Sequence, residues 1–75
     1  MYGPVKLHDE LAAILDERGN PWMTTKELAV AVNERGIYQR RDGGEVTPFQ
    51  VHGRTRNYTH TFERSGSQVR LKEPR

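Results

Sequence analysis

Cysteine is absent from this 75-residue chain, which removes both a disulfide framework and any thiolate zinc site. The fold must therefore hold by packing alone. Long apolar runs are missing as well: nothing approaches the roughly 20 residues of a membrane-spanning helix, and the N-terminal "MYGPVKLHDE" has neither the basic nor the apolar region of a signal peptide. A cytoplasmic protein with no membrane partner is expected. Aromatic residues are few, one tryptophan, three tyrosines and two phenylalanines, and 33% of the chain is hydrophobic. That suffices for one small core, with a single domain over residues 1–75 ordered from about 5 to 72, and leaves little to line a deep enzyme pocket. His8, His52 and His60 are too scattered to form a ligand set, so neither a metal nor another cofactor is expected. Asp9, Glu10, Asp16 and Glu17 read mostly as the solvated outer face of a helix, which leaves no carboxylate pair for catalysis. The class that remains is a binding module.

Charge is present but unevenly placed. Residues 1–37 carry four Lys/Arg against six Asp/Glu, and residues 38–75 carry eight against four, so the formal charge of +2 conceals a basic C-terminal half. A polyanion is attracted to the basic face of a molecule rather than to its sum.

Apolar periodicity places a first helix at about 5–18, where Leu7, Leu11, Ile14 and Leu15 share one face. Gly19 closes it, and Asn20 and Pro21 prevent continuation. After a short bridge, "PWMT", Thr24 and Glu27 have the spacing of a capping box, with Met23 and Leu28 as the flanking hydrophobic staple. The second helix is expected at about 25–35, with Leu28, Ala29 and Val32 facing inward and Gly36 as its stop. A short extended piece at Ile37 and Tyr38 and a Gly-rich loop with Arg40 and Arg41 follow.

The stretch "VTPFQVHGRTRNY" repeats the start signal. Thr47 and Gln50 make a second capping box, Pro48 occupies the first helical position, and Val46 can staple to Val51. A third helix at about 48–57 puts Val51, Thr55 and Tyr58 on the core side, sweeps Gln50, Gly53, Arg56 and Asn57 to the far side, and leaves His52 and Arg54 at the margins. Phe49 falls on the polar side, where periodicity gives it no reason to be. Beyond this helix, Phe62, a Ser-Gly-Ser turn, and Val69 and Leu71 alternating with Gln68, Arg70 and Lys72 read as a hairpin over 62–71 with an apolar inner and a basic outer face. Trp22 and Tyr58 read as core residues.

Three helices followed by a C-terminal hairpin is the order of a winged helix-turn-helix, mainly α with a small β-hairpin. The segments "MTTKELAVAVNERG", "VTPFQVHGRTRNY" and "FERSGSQVRL" together also resemble the HARE-HTH family, the winged modules of restriction endonucleases, ASXL-type chromatin proteins and the delta subunit of bacterial RNA polymerase. The resemblance covers residues 6 to 72. It implies a DNA-binding or chromatin-associated module, often attached to effector domains; none accompanies it in this chain, which leaves two readings open, a free-standing small protein, slightly favoured by the initiating methionine, or a piece of a longer one. The polymerase subunit members imply that the same fold also serves protein contacts.

A reading residue by residue follows. Arg54 and Arg56 have the guanidinium fork that bridges two acceptors on a phosphate or a guanine edge, and Gln50 and Asn57 have the amide that reads adenine. His52 stands at the edge of the same helix. Gly53 costs about 1 kcal/mol relative to alanine inside a helix, for which two reasons are open: crowding against the second helix, or close approach of the helix backbone to a phosphate or neighbouring element. Arg64, Arg70 and Lys72 on the wing, with Arg40 and Arg41 in the loop, would hold flanking backbone. The expected partner is double-stranded DNA, bound by a protein that is a monomer in isolation, in transcription regulation or as the DNA-targeting module of a restriction or modification system. In a bacterial cell it would be nucleoid-associated. The rival is a protein-interaction module on the same fold.

Overall fold

The computed structural model describes residues 5–38, 40 and 42–73. It is a small mixed α/β arrangement: α1 (Leu7–Glu17), β1 (Met23–Thr24), α2 (Thr25–Arg35), α3 (Pro48–Asn57), β2 (Phe62–Ser65) and β3 (Gln68–Leu71). The sheet is antiparallel with order β1-β3-β2. Met23 pairs with Val69 on one side of β3, and Phe62 pairs with Leu71 on the other. The expected two-stranded hairpin is thus the outer part of a three-stranded sheet, and the "PWMT" bridge supplies the extra strand. Two residues are too few to show a period, so this strand exists only because β3 is there to pair with it. No strand forms at Ile37 and Tyr38.

Local chemistry explains the three helices. The second and third begin with complete capping boxes: the Thr24 hydroxyl accepts from the Glu27 N–H while the Glu27 carboxylate accepts from the Thr24 N–H, and Thr47 and Gln50 repeat the exchange. The Glu27 carboxyl is held below the usual carboxylate range, first by that Thr24 backbone N–H and then by the Thr24 hydroxyl. At its other end α2 stops on Gly36, in the left-handed conformation with φ 66. The end of α1 is more elaborate. Gly19 N–H bonds to Asp16 C=O and Asn20 N–H to Leu15 C=O, the paired closure of a Schellman motif, in which both residues take positive φ.

Asn20 does a second job. Its amide Nδ2 donates to Leu71 C=O at 3.0 Å and its Oδ1 accepts from Leu71 N–H at 2.7 Å, so the end of α1 continues the pairing of β3 where β1 leaves off. Asn33 makes the same two-bond clamp on Val46, donating to its C=O at 2.9 Å and accepting from its N–H at 2.8 Å. This ties the residue before the α3 cap to the side of α2. The two clamps set where α3 and the hairpin stand relative to the first two helices.

The core gathers Leu11, Leu15, Leu28, Val32, Val51 and Val69, all fully buried, with Phe62, Leu71, Met23 and Val46 closing it. Both staple pairs, Met23 with Leu28 and Val46 with Val51, are inside. Glu10 corrects the reading of α1 as acidic on its outer face: it is only 3% exposed. Its carboxylate accepts from Arg35 Nε at 2.8 Å, and Arg35 also pairs with Glu17. The Arg35 guanidinium is pushed further up, first by its bond to Glu17 and also by Glu10, against partial burial. Among the described residues no helix is long and apolar enough to cross a membrane.

Candidate nucleic-acid interface

Helix α3 owes its orientation to Val51 and Thr55, both fully buried, the latter turning its hydroxyl back onto Val51 C=O at 2.9 Å. That inward pair aims Phe49, Gly53, Arg56 and Asn57 at solvent, since they lie on the opposite side of a 3.6-residue turn. No acidic residue occurs anywhere in α3, and its last turn carries Arg54 and Arg56. Arg56 and Asn57 are exposed.

The remaining candidate residues divide by what already holds them. Gln50 commits its amide oxygen to the Thr47 N–H at 3.0 Å, so the two-point reading of adenine expected of it is not available while the cap is formed. Arg54 is half-buried and turns toward α1, with Nη1 3.5 Å from His8 Nδ1. The His8 ring in turn stacks on Tyr58 at 4.0 Å between centroids. Arg40 is engaged inside its own loop by Asp42 at 2.8 Å and by Glu45 C=O at 3.0 Å, and Arg41 lies outside the described residues. Arg70 bonds Glu63 at 3.0 Å and lies 4.4 Å above the Trp22 ring, so Trp22 packs against the outer face of the sheet rather than deep in the core. Lys72 is exposed at the end of β3.

A side-chain contact joins α3 to the hairpin. Arg64 Nη2 on β2 donates to His52 Nδ1 on α3 at 2.6 Å. A guanidinium only donates, so His52 must accept at Nδ1 and carry its proton on Nε2. Arg64 Nε–H is buried without an acceptor among the described residues. Periodicity could not foresee this bridge, because the partners belong to different elements. His52 on α3 is thereby linked to Arg64 on β2, and α3 itself, with Arg56 and Asn57 exposed, carries no carboxylate.

Phe49, in the first turn of α3, is 83% exposed. Its off-pattern position in the sequence was the available signal. At Gly53, an added Cβ would meet nothing within 4 Å, which overturns crowding against α2 as the reason for the glycine. Among the described residues, no group of three or more His, Asp or Glu is placed to hold a metal ion.

Comparison with protein-family models, curated proteins and solved structures finds no match for this chain.

Proposed function

We propose that the chain is a winged-helix DNA-binding module, with α3 entering the major groove and the β2–β3 hairpin lying as a wing on the flanking backbone. The observation that carries this reading is the acid-free outer face of α3, where Arg56 and Asn57 are exposed and His52 is joined to Arg64 of the hairpin. A helix of this width fits the major groove of B-DNA, and a hairpin beside it supplies cations to phosphates. The resemblance to the HARE-HTH family supports the same conclusion, with a role in transcription regulation or in targeting a restriction or modification activity.

The geometry narrows the contact set. Arg40 and Arg70 have carboxylate partners, Asp42 and Glu63, within 3.0 Å, so their charge is largely offset at home. Among the described candidates, Arg54, Arg56, Arg64 and Lys72 have no carboxylate partner, Arg54 and Arg64 contacting the His8 and His52 rings instead, so these are the cations that meet phosphates or bases, and Asn57 is exposed on the same helix as Arg54 and Arg56. One small module buries a limited interface, on the order of 600–1,000 Å², so affinity for an arbitrary duplex is weak and rests on phosphates. The test is an amide chemical-shift titration with a generic duplex at two salt concentrations. Shifts concentrated in residues 48–57 and 62–72 are expected, with an affinity that falls with salt at a slope of about −0.9 per phosphate neutralised. Arg56→Ala lowers that slope by about one. An unchanged spectrum at low salt would refute the reading.

Phe49 favours a second reading, a protein-interaction module, because an 83% exposed aromatic is the kind of anchor that protein interfaces bury. In that case the partner binds with little salt dependence and the duplex leaves the spectrum unmoved.

A further inference from the structure

We infer that Phe49 and Gly53 form the base-reading step of α3: Gly53 lets the helix backbone sit close to the floor of the groove, and Phe49 packs on the C5-methyl group of a thymine. The inference rests on the proposed binding of DNA by α3, and it begins from a residue that the fold itself does not require. Two reasons internal to a protein put glycine in a helix. The first is a backbone conformation other residues avoid, yet Gly53 is not among the residues of positive φ. The second is a neighbour too close for a side chain, yet the space where a Cβ would stand is empty to 4 Å. A glycine here still weakens the helix relative to alanine. The reason must lie in what approaches from outside.

What flanks the gap identifies that visitor. Phe49 stands one turn before Gly53 and Arg56 one turn after, all on the solvent side of α3. The arrangement is an apolar ring, a bare stretch of backbone and a cation in a row. The major groove is about 12 Å wide, and a helix with its side chains is about 10–12 Å across. Depth of insertion is therefore limited by the side chains of the facing stripe, and removing the central one lets the axis come nearer. The positions near the N-terminus of a groove-bound helix are the ones that reach base edges, and Phe49 is the second residue of α3. Among the groups displayed in that groove, the thymine methyl is the apolar one, which an exposed phenyl ring complements. Arg56, farther along, then meets phosphate or a guanine edge. The absence of any carboxylate from the helix removes the repulsion a polyanion would otherwise meet.

The experiment uses fluorescence anisotropy with a 16-base-pair alternating A·T duplex and with the same duplex carrying uracil in place of thymine, which deletes the methyl and leaves the hydrogen-bonding edges unchanged. The wild-type chain is compared with Phe49→Ser, Gly53→Ala and Arg56→Ala, and each variant is melted in the absence of DNA. Wild type is expected to prefer the thymine duplex by roughly fourfold, the factor that burial of one methyl group confers, and Phe49→Ser to abolish the preference. Gly53→Ala is expected to melt several degrees higher, as a small domain does when a helix gains about 1 kcal/mol, while binding either duplex several-fold more weakly. Equal wild-type affinity for the two duplexes, a preference that survives Phe49→Ser, or undiminished binding by Gly53→Ala would overturn the inference. If these results came with binding that Arg56→Ala weakens, the DNA reading of α3 would stand without it. Failure of the wild type to bind either duplex would overturn both.

Discussion

Replacing Asn20 tests how the end of α1 and the sheet are held together. Its side chain makes two bonds to one residue, 3.0 Å to Leu71 C=O and 2.7 Å from Leu71 N–H, and Leu71 is buried. Asn20→Ala leaves a backbone donor and a backbone acceptor of a core strand without partners. Each such loss costs about 1–3 kcal/mol, and the lower half of that range applies because the clamp is only partly buried, so the pair amounts to about 2–4 kcal/mol. Asn20 also sits at φ 59, where alanine adds about 1 kcal/mol of strain and glycine adds none. Asn20→Ala should therefore lose about 3–5 kcal/mol, and Asn20→Gly about 1 kcal/mol less. For 75 residues the whole stability is roughly 4–11 kcal/mol, so the alanine variant is close to unfolding. Urea unfolding followed by circular dichroism, with midpoints compared at a common slope, measures both. An alanine variant within about 1 kcal/mol of wild type would refute the clamp, and a glycine variant no better than alanine would refute the argument from φ.

Thr47→Ala removes the cap of α3 and should cost about 1 kcal/mol, read as a lower melting temperature; Gln50→Ala should lose part of the same amount, since it contributes the other half of the box. Arg35→Ala leaves the buried Glu10 carboxylate without its nearest partner, and because the Arg35 side chain is 28% exposed the penalty should be about 2 kcal/mol rather than the 3–5 of a fully buried pair; a variant as stable as wild type in urea would show the pair to be idle. The lowered folded-state value of Glu27 means that its cap contributes fully above the ordinary glutamate range near ~4.3 and is lost as pH falls through the folded value. Acid titration of the melting temperature should therefore be shallower for Glu27→Gln than for wild type, and identical acid limbs would count against this cap as a source of acid sensitivity.

Helix starts and stops were legible because they depend on chemistry within four residues: the Thr24–Glu27 and Thr47–Gln50 boxes, Pro48, Gly19 and Gly36 all act locally. The α3 core face was legible for the same reason, since Val51 and Thr55 obey the helical period. Pairwise chemistry across elements was not. A carboxylate at Glu10 looks like any surface acid until Arg35 is brought beside it, 25 positions along the chain. Likewise Gln50 looked like a base reader, but its oxygen serves the cap, and Arg70 looked free until Glu63 and Trp22 came to either side of it.

The sequence by itself determined the three helices, their caps, the hairpin turn and the basic bias of the C-terminal half, because each follows from short-range geometry or from composition. Tertiary structure alone decided that Met23 and Thr24 form a strand, that Asn20 and Asn33 clamp distant backbone, and that Arg64 reaches His52. It also decided that Gly53 faces open space with Phe49 beside it on the same exposed side. Whether a glycine is crowded or bare depends on which atoms the rest of the chain brings near it, and no spacing along the chain records that.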